Sequence, residues 1–348
     1  MTATNKPEPI LEARNLTKFF RAGGAFSRVT IKAVREANFE LYPGHVVALV
    51  GESGSGKSTI VRMLARLFEP TDGDILFCGQ NVLAKKDRRA LLNYRSQVQM
   101  IFQDPFSSLN PAHKVRYHLE RPLHIHHKAR RGRRALREQV LGLLEEVALT
   151  PPEEFINKYP HQLSGGQRQR VAVARALAVE PVVILADEPI SMLDVSIRLG
   201  VLNLMDKLRM QQHIAFLYVT HDIASARYFA NEILVMYAGH IVEKADSEEL
   251  IQNPRHPYTE LLLSAVPDPS RGLRTADIEI EGEIPDLSEL GDGCPFANRC
   301  PYAMAECRAA MPTFTSYADG SWVRCYLYPP EEQPATPAES ALLTGASD

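Results

Sequence analysis

An α/β protein built around a parallel sheet is predicted by three observations on this 348-residue chain. Short, continuously apolar runs bounded by turn residues alternate with longer stretches of helical periodicity. The runs lack polar alternation, as expected of strands covered on both faces. Polar or charged residues follow several of them directly, where such sheets bind ligands.

Taken in order, VVALV (Val46 to Val50) leads into a glycine-rich turn, and VVILA (Val182 to Ala186) ends in Asp187 and Glu188. AFLYVT (Ala215 to Thr220) ends in His221, and EILVM (Glu232 to Met236) is the fourth run. Between the first two, Leu136, Val140, Leu143, Leu144 and Val147 recur at helical spacing. They predict an amphipathic helix within a helical insertion of roughly 70 residues, at about 104–180. Beyond Pro267 the acidic, turn-rich stretch TADIEIEGEIPDLSELGDG reads as a linker into a cysteine-bearing segment. The expected organisation is a main domain over 1–265, a C-terminal segment over 266–330 and a disordered tail at 331–348. There is no internal repeat.

With 45% hydrophobic and 23% charged residues the composition is that of an ordinary soluble protein. A net charge of −3 gives nucleic acid no strong attraction. The N-terminal MTATNKPEPILEARN has no apolar segment of a signal peptide, and no run approaches the roughly 18 apolar residues of a membrane span. The chain is therefore expected to be neither exported nor membrane-spanning, and structural disulfides are not expected.

GESGSGKST (Gly51, Glu52, Ser53, Gly54, Ser55, Gly56, Lys57, Ser58, Thr59) fits the phosphate-loop pattern between a predicted strand and a predicted helix. Its glycines let backbone N–H groups close around a β-phosphate at a helix N-terminus. Lys57 would reach the β- and γ-phosphates, and Ser58 would bind Mg²⁺. In VVILADEP, Asp187 can hold Mg²⁺ through water and Glu188 can polarise an attacking water. LSGGQRQRVAVARAL (Leu163 to Leu177) places Ser164, Gly165, Gly166 and Gln167 at a second anion-binding helix start. One ATP does not need two such loops from one subunit, so a head-to-tail dimer is expected.

These motifs resemble the ATP-binding cassette (ABC) family, whose signature is LSGGQ, and the resemblance covers about residues 10–265. It implies a P-loop NTPase cassette with a mixed sheet core and a helical insertion, hydrolysing ATP. It also implies that Gln103 in FQDP contacts Mg²⁺ and the attacking water and senses a transmembrane partner. Asp194 in SMLD would cross the dimer interface, and His221 in VTHD would be the switch histidine on the γ-phosphate. Phe20 in TKFF, or the adjacent Phe19, would stack on adenine. Ile190 departs from the small or hydroxylated residue usual after DEP.

FQDPFSSLNP (Phe102 to Pro111), NPRHPYTELLLSAVP (Asn253 to Pro267) and GCPFANRCPYA resemble the oligopeptide, dipeptide and nickel importer subfamily. That resemblance implies an ATPase subunit peripheral to the cytoplasmic face of a membrane, importing peptides. It implies two permease subunits, a second cassette on a different chain and an extracytoplasmic binding protein as partners. Oligosaccharide or nickel import, and a soluble regulatory ATPase, are the alternatives. The basic run from Lys128 to Arg137 and the histidines from His113 to His127 read as a solvated helix face.

Four of the five cysteines, Cys294, Cys300, Cys307 and Cys325, stand near the C-terminus, while Cys78 reads as a small buried side chain. Cytosolic thiols gathered in this way most often bind metal. Intervals of five, six and seventeen residues are looser than the tight knuckles of structural zinc. They suit a [4Fe–4S] cluster, as in subfamily members. Zinc, a pair of disulfides, and small buried residues are the alternatives.

Overall fold

The computed structural model describes residues 8–22, 29–84, 87–265, 285, 287–288 and 290–329. The expected tail and most of the expected linker lie outside these residues. Four strands, β1 (Leu11–Ala22), β2 (Val29–Leu41), β4 (Asp72–Phe77) and β5 (Gln80–Asn81), form an antiparallel sheet in the order β2-β1-β4-β5. The larger sheet contains β3 (Val46–Val50), β6 (Val98–Ile101), β7 (Val183–Asp187), β8 (Ala215–Thr220), β9 (Glu232–Tyr237), β10 (His240–Asp246), β11 (Thr315–Ser316) and β12 (Trp322–Val323). Its order is β11-β12-β10-β9-β3-β8-β7-β6. Strands β9, β3, β8, β7 and β6 run parallel, and β10, β12 and β11 continue the sheet antiparallel. The sheet core is thus mixed.

The unbroken apolar runs follow from this layering. Val46, Ala48 and Val50 of β3 enter the core shared with the helices, whereas Val47 and Leu49 enter the core shared with the smaller sheet. Burying each Val or Leu contributes about 1.5–3 kcal/mol, so both faces of β3 select apolar residues.

Between β6 and β7 lie the helices Pro105–Ser108, Val115–Ile125, Arg133–Glu146, Pro152–Phe155 and Gly165–Leu177. Val140, Leu144 and Val147 are buried, while Leu136 and Leu143 pack at the margin of the same core. The basic run is solvated as read: Arg130, Arg131, Arg133, Arg134 and Arg137 are exposed. His118 is the exception among the histidines, buried with its Nε2 3.1 Å from the Asn110 carbonyl oxygen.

Cys78 is exposed, contrary to expectation. It sits in the turn between β4 and β5, with a left-handed φ of 48° followed by Gly79 at 73°, where the chain reverses and no core reaches it.

The C-terminal segment is built onto the main sheet. Strand β12 pairs with β10 through Glu243–Val323 and Lys244–Trp322, and Arg324 N–H donates to Val242 O at 2.8 Å. Phe296 is fully buried, its ring centroid 5.2 Å from Tyr237, 5.5 Å from Tyr258 and 5.8 Å from His256.

The same region explains the HPYT stretch. The buried Glu243 carboxylate accepts hydrogen bonds from Arg255 N (2.8 Å), His256 N (3.0 Å) and Thr259 Oγ1 (2.5 Å). His256 Nδ1 caps the helix Pro257–Ser264 by accepting from Tyr258 N, and Pro257 occupies the first turn, where no donor is needed.

Candidate nucleotide site

Strand β3 ends in a loop that closes at the start of the helix Lys57–Leu64. Two glycines are required there. A Cβ at Gly51 would lie 2.1 Å from the Met236 carbonyl oxygen, and one at Gly56 would lie 2.2 Å from that of Ala33. Gly56 also has φ +109°, which side-chain-bearing residues rarely adopt. The loop is thereby pressed between β9 and β2.

Lys57 is buried beneath the loop and donates to Gly51 O at 2.7 Å and Glu52 O at 2.8 Å. Burial lowers its pKa, opposed by the carboxylates of Glu188, Asp187 and Glu52. Ser58 Oγ donates to Asp187 Oδ1 at 2.9 Å. Burial raises the Asp187 pKa, and the Ser58 bond works against that rise. The two oxygens form a hard-donor pair of the kind Mg²⁺ takes, so the chemistry here fits that ion.

Glu188 stands one residue past β7 with φ 46°, a left-handed conformation uncommon for a side-chain-bearing residue and strained. Its N–H donates to Val219 O at 2.9 Å, which ties the strained residue to β8. The Glu188 side chain is 11% exposed. Gln103 Nε2 donates to Glu188 Oε2 at 3.0 Å, and His221 Nδ1 lies 3.3 Å from the same oxygen. Three sequence-separated motifs therefore meet at one carboxylate.

A cavity of about 290 Å³ is lined by Ser53, Gly54, Gly56, Lys57, Ser58, Thr59, Gln103 and Glu188, with Asp187 and His221 joined to it through Ser58 and Glu188. Ala33 and Leu287 complete its wall, and neither was singled out from the sequence. Phe20 packs edge-on against Phe68 at 5.6 Å, with Lys18 Nζ 5.2 Å from its ring centroid.

The second loop stands apart: none of Ser164, Gly165, Gly166 and Gln167 is among the residues lining the cavity. Ser164 caps the helix Gly165–Leu177. Its Oγ accepts from Gln167 N at 3.3 Å, while its N–H donates to Gln167 Oε1 at 3.0 Å. The helix packs closely on the segment after β7, where a Cβ at Gly166 would lie 2.5 Å from Ile197 Cγ2. Asp194 starts the helix Val195–Gln212, among the exposed apolar side chains of Met192, Val195 and Leu199. Ile190 is buried in the main core, which accounts for an apolar residue after DEP.

The loop has further partners that sequence reasoning did not identify. Arg299 forms a bidentate ion pair with Glu52, and Tyr258 OH accepts from Glu52 N–H at 2.8 Å. Both partner stretches were recognised as motifs, but nothing local indicates what they touch.

All five cysteines are free thiols, so the disulfide alternative does not hold. Cys307 is buried, and Cys294, Cys300 and Cys325 are half-buried. Cys294 N–H donates to Cys307 O at 2.7 Å. Burial pushes the Cys294 thiol up to about 12 and Cys325 to about 11; the neighbouring thiols add to both shifts, which places the four within electrostatic reach of one another. Among the described residues, however, no three His, Cys, Asp or Glu side chains form a group that could hold a metal ion. The donor set matches a thiophilic metal in chemistry, and the thiols do not close into a ligand cage.

The match to known families follows the same division of the chain. A family described as ABC transporter matches residues 34–191, and one described as oligopeptide/dipeptide transporter, C-terminal region, matches residues 242–307. The oligopeptide transport ATP-binding protein AppF of Bacillus subtilis is 41% identical over 333 residues, 94% of this chain and 100% of that protein. The di/tripeptide transport ATP-binding protein DppF of Pseudomonas aeruginosa is 43% identical over 312 residues, 88% of this chain and 94% of its own length. Among solved structures, an ATP-binding cassette dimer in a post-hydrolysis state, bound to ADP and Pi, superposes with a TM-score of 0.61 at 31% identity, covering 68% of this chain and 98% of that one. By these matches the chain belongs to the ABC transporter family, in the branch that carries the oligopeptide/dipeptide transporter C-terminal region.

Proposed function

We propose that this chain is the ATP-hydrolysing subunit of a peptide importer, working at the cytoplasmic face of a membrane beneath permease subunits. The observation that carries the ATPase reading is that Lys57, Ser58, Gln103 and Glu188 line one cavity, with Asp187 bonded to Ser58 and His221 3.3 Å from Glu188. The loop N–H groups and Lys57 bind the β- and γ-phosphates. Ser58, Asp187 and Gln103 would hold Mg²⁺, which would neutralise charge on the phosphate oxygens. Glu188 takes a proton from the attacking water, Gln103 orients that water, and His221 contacts the γ-phosphate. Phe20 is assigned to the adenine.

The second phosphate-binding element comes from a partner cassette. Ser164 Oγ accepts from its own helix, and its hydroxyl proton remains to be donated to an oxygen of the partner's nucleotide. Exposed Met192, Val195 and Leu199 around Asp194 supply apolar surface for that interface. Exposed Phe102 and Phe106, flanking Gln103 in sequence, offer apolar surface for a permease helix. No described helix is long and apolar enough to cross a membrane, which is consistent with membrane attachment through partners.

Peptide as cargo rests on the two relatives named for oligopeptide and di/tripeptide transport. A second cassette on a different chain and an extracytoplasmic binding protein complete the assembly. Detergent extraction followed by affinity purification of this chain is expected to bring two permeases with it. ATP turnover by that complex in vesicles is expected to rise with a peptide-loaded binding protein. Purification of the chain without permeases favours the soluble regulatory ATPase, and stimulation by nickel or an oligosaccharide instead of peptide reassigns the cargo.

The four cysteines are assigned to a structural [4Fe–4S] cluster, supported by their thiol donor set and their free state; loading it requires the thiols to close into a cage that they do not form as placed. Such a group would staple a segment of few core residues to the sheet edge. Anaerobically purified protein is expected to be brown and to carry about four irons per chain. Cys300→Ser should remove the iron and lower the melting temperature. One zinc per chain in a colourless preparation assigns the site to zinc, and no metal of either kind leaves the thiols without this role.

A further inference from the structure

Arg299 reaches out of the cysteine-bearing segment into the phosphate loop. Its Nη1 lies 2.8 Å from Glu52 Oε2 and its Nη2 3.1 Å from Glu52 Oε1. Both side chains are shielded, with 10% of the Arg299 side chain exposed and 27% of the Glu52 side chain. Nη1 also donates to Tyr237 OH at 3.2 Å, and the guanidinium lies over the edge of the aromatic cluster around Phe296. The arginine is therefore fixed at both ends. Its backbone is held by Arg299 N–H donating to Phe296 O at 2.9 Å, and its head by a tyrosine and a carboxylate.

Glu52 is held at three points. Its carboxylate takes Arg299, its N–H donates to Tyr258 OH, and its carbonyl oxygen accepts from Lys57 Nζ. The first two partners lie far along the chain, beyond the last strand of the cassette, and the third is the lysine that meets the phosphates. A planar, bidentate guanidinium–carboxylate pair fixes orientation as well as distance. The shape of the loop at Glu52 is thus set by Arg299 from the C-terminal segment together with Tyr258 from the helix Pro257–Ser264, and with it the carbonyl that positions Lys57.

We propose that Arg299 is a positioning residue of the ATP site: by clamping Glu52, the C-terminal segment holds the phosphate loop in its nucleotide-binding shape. The proposal rests on the reading of this loop as the ATP site. A loop ordered before binding need not be ordered by the ligand, so the clamp acts on affinity for ATP more than on the chemical step.

The test is Mg–ATP binding to the full-length chain, together with ATP turnover in the purified transporter. Arg299→Ala and Glu52→Gln are each expected to weaken ATP binding about tenfold, the size of effect expected for a lost hydrogen bond to a charged group. They should raise KM with kcat within about twofold. Arg299→Lys, which keeps the charge and loses the fork, should fall between Arg299→Ala and wild type. The double variant Arg299→Ala/Glu52→Gln should bind no worse than the weaker single variant, because both changes remove one interaction. General loosening of the C-terminal segment would not give that non-additivity, and Glu52→Gln leaves the segment's own sequence intact. Wild-type affinity in both single variants, or single effects that multiply in the double, would overturn the clamp. Lys57→Ala separates the two readings. If it abolishes binding while Arg299→Ala does not weaken it, only the clamp fails; if it binds ATP normally, the site assignment fails and the clamp with it.

Discussion

Glu188→Gln is expected to bind ATP as the wild type does and to hydrolyse it at least about 100-fold more slowly, a loss of roughly 2.7 kcal/mol of transition-state stabilisation. The substitution is nearly isosteric, and the amide oxygen can still accept the bond from Gln103 Nε2 that Glu188 now takes at 3.0 Å. The strained backbone at φ 46°, tied to Val219, does not depend on the carboxylate charge and should persist. The phosphate loop and Lys57 are untouched, so affinity is retained. What disappears is the base, because an amide cannot take a proton from water. With the partner cassette present, the ATP-trapped closed pair should then accumulate, visible as an ATP-dependent shift in size-exclusion mass. Wild-type turnover by the Gln variant would show that Glu188 is not the base.

What the sequence reveals here follows from the range of the interactions involved. Of the five parallel strands, β6, with Gln99 in its sequence, is not legible. The other four are, because both faces of the sheet are covered there and each of those strands must then be apolar throughout. Val46 to Val50 shows this with alternate residues in two different cores. The phosphate loop is legible because its glycines, Lys57 and Ser58 fall within one short stretch, even though the carbonyls that demand the glycines, those of Met236 and Ala33, do not.

Other features depend on partners distant in sequence. Arg299 and Glu52 are 247 residues apart, and no spacing rule pairs them. The left-handed backbone of Glu188 carries no compositional signal, since it is imposed by the hydrogen bond to β8 rather than by a glycine. Cys78 was misread because a small apolar-like residue after ILF suggests a continuing strand, whereas the chain turns at that residue. The apolar Ile190 after DEP looked like a mild departure until its place in the core supplied the reason.

Ser164→Arg is expected to leave ATP binding to the isolated chain within about threefold of wild type and to abolish ATP-driven transport. The first half follows from geometry within one chain. Ser164 caps the helix Gly165–Leu177 through Gln167, and neither residue lines the cavity bordered by Lys57, Ser58 and Glu188. Losing the cap costs about 1 kcal/mol of helix stability, a modest drop in melting temperature that the buried face of the helix can absorb. Val171, Ala172, Val173 and Ala174 are all buried, so packing surrounds this part of the helix. The second half follows from what the partner must meet. A serine hydroxyl and the N–H groups behind it can approach a γ-phosphate closely, whereas an arginine side chain in their place keeps the two cassettes apart by its own length. The positive charge does not compensate, because the separation also removes the helix N-terminus from the phosphate. A Ser164→Arg/Glu188→Gln double variant, assembled with its partner cassette, should therefore fail to give the ATP-trapped closed form that Glu188→Gln gives in the same assembly. If the isolated Ser164→Arg chain instead fails to bind ATP, the second loop serves its own nucleotide and the head-to-tail arrangement is wrong.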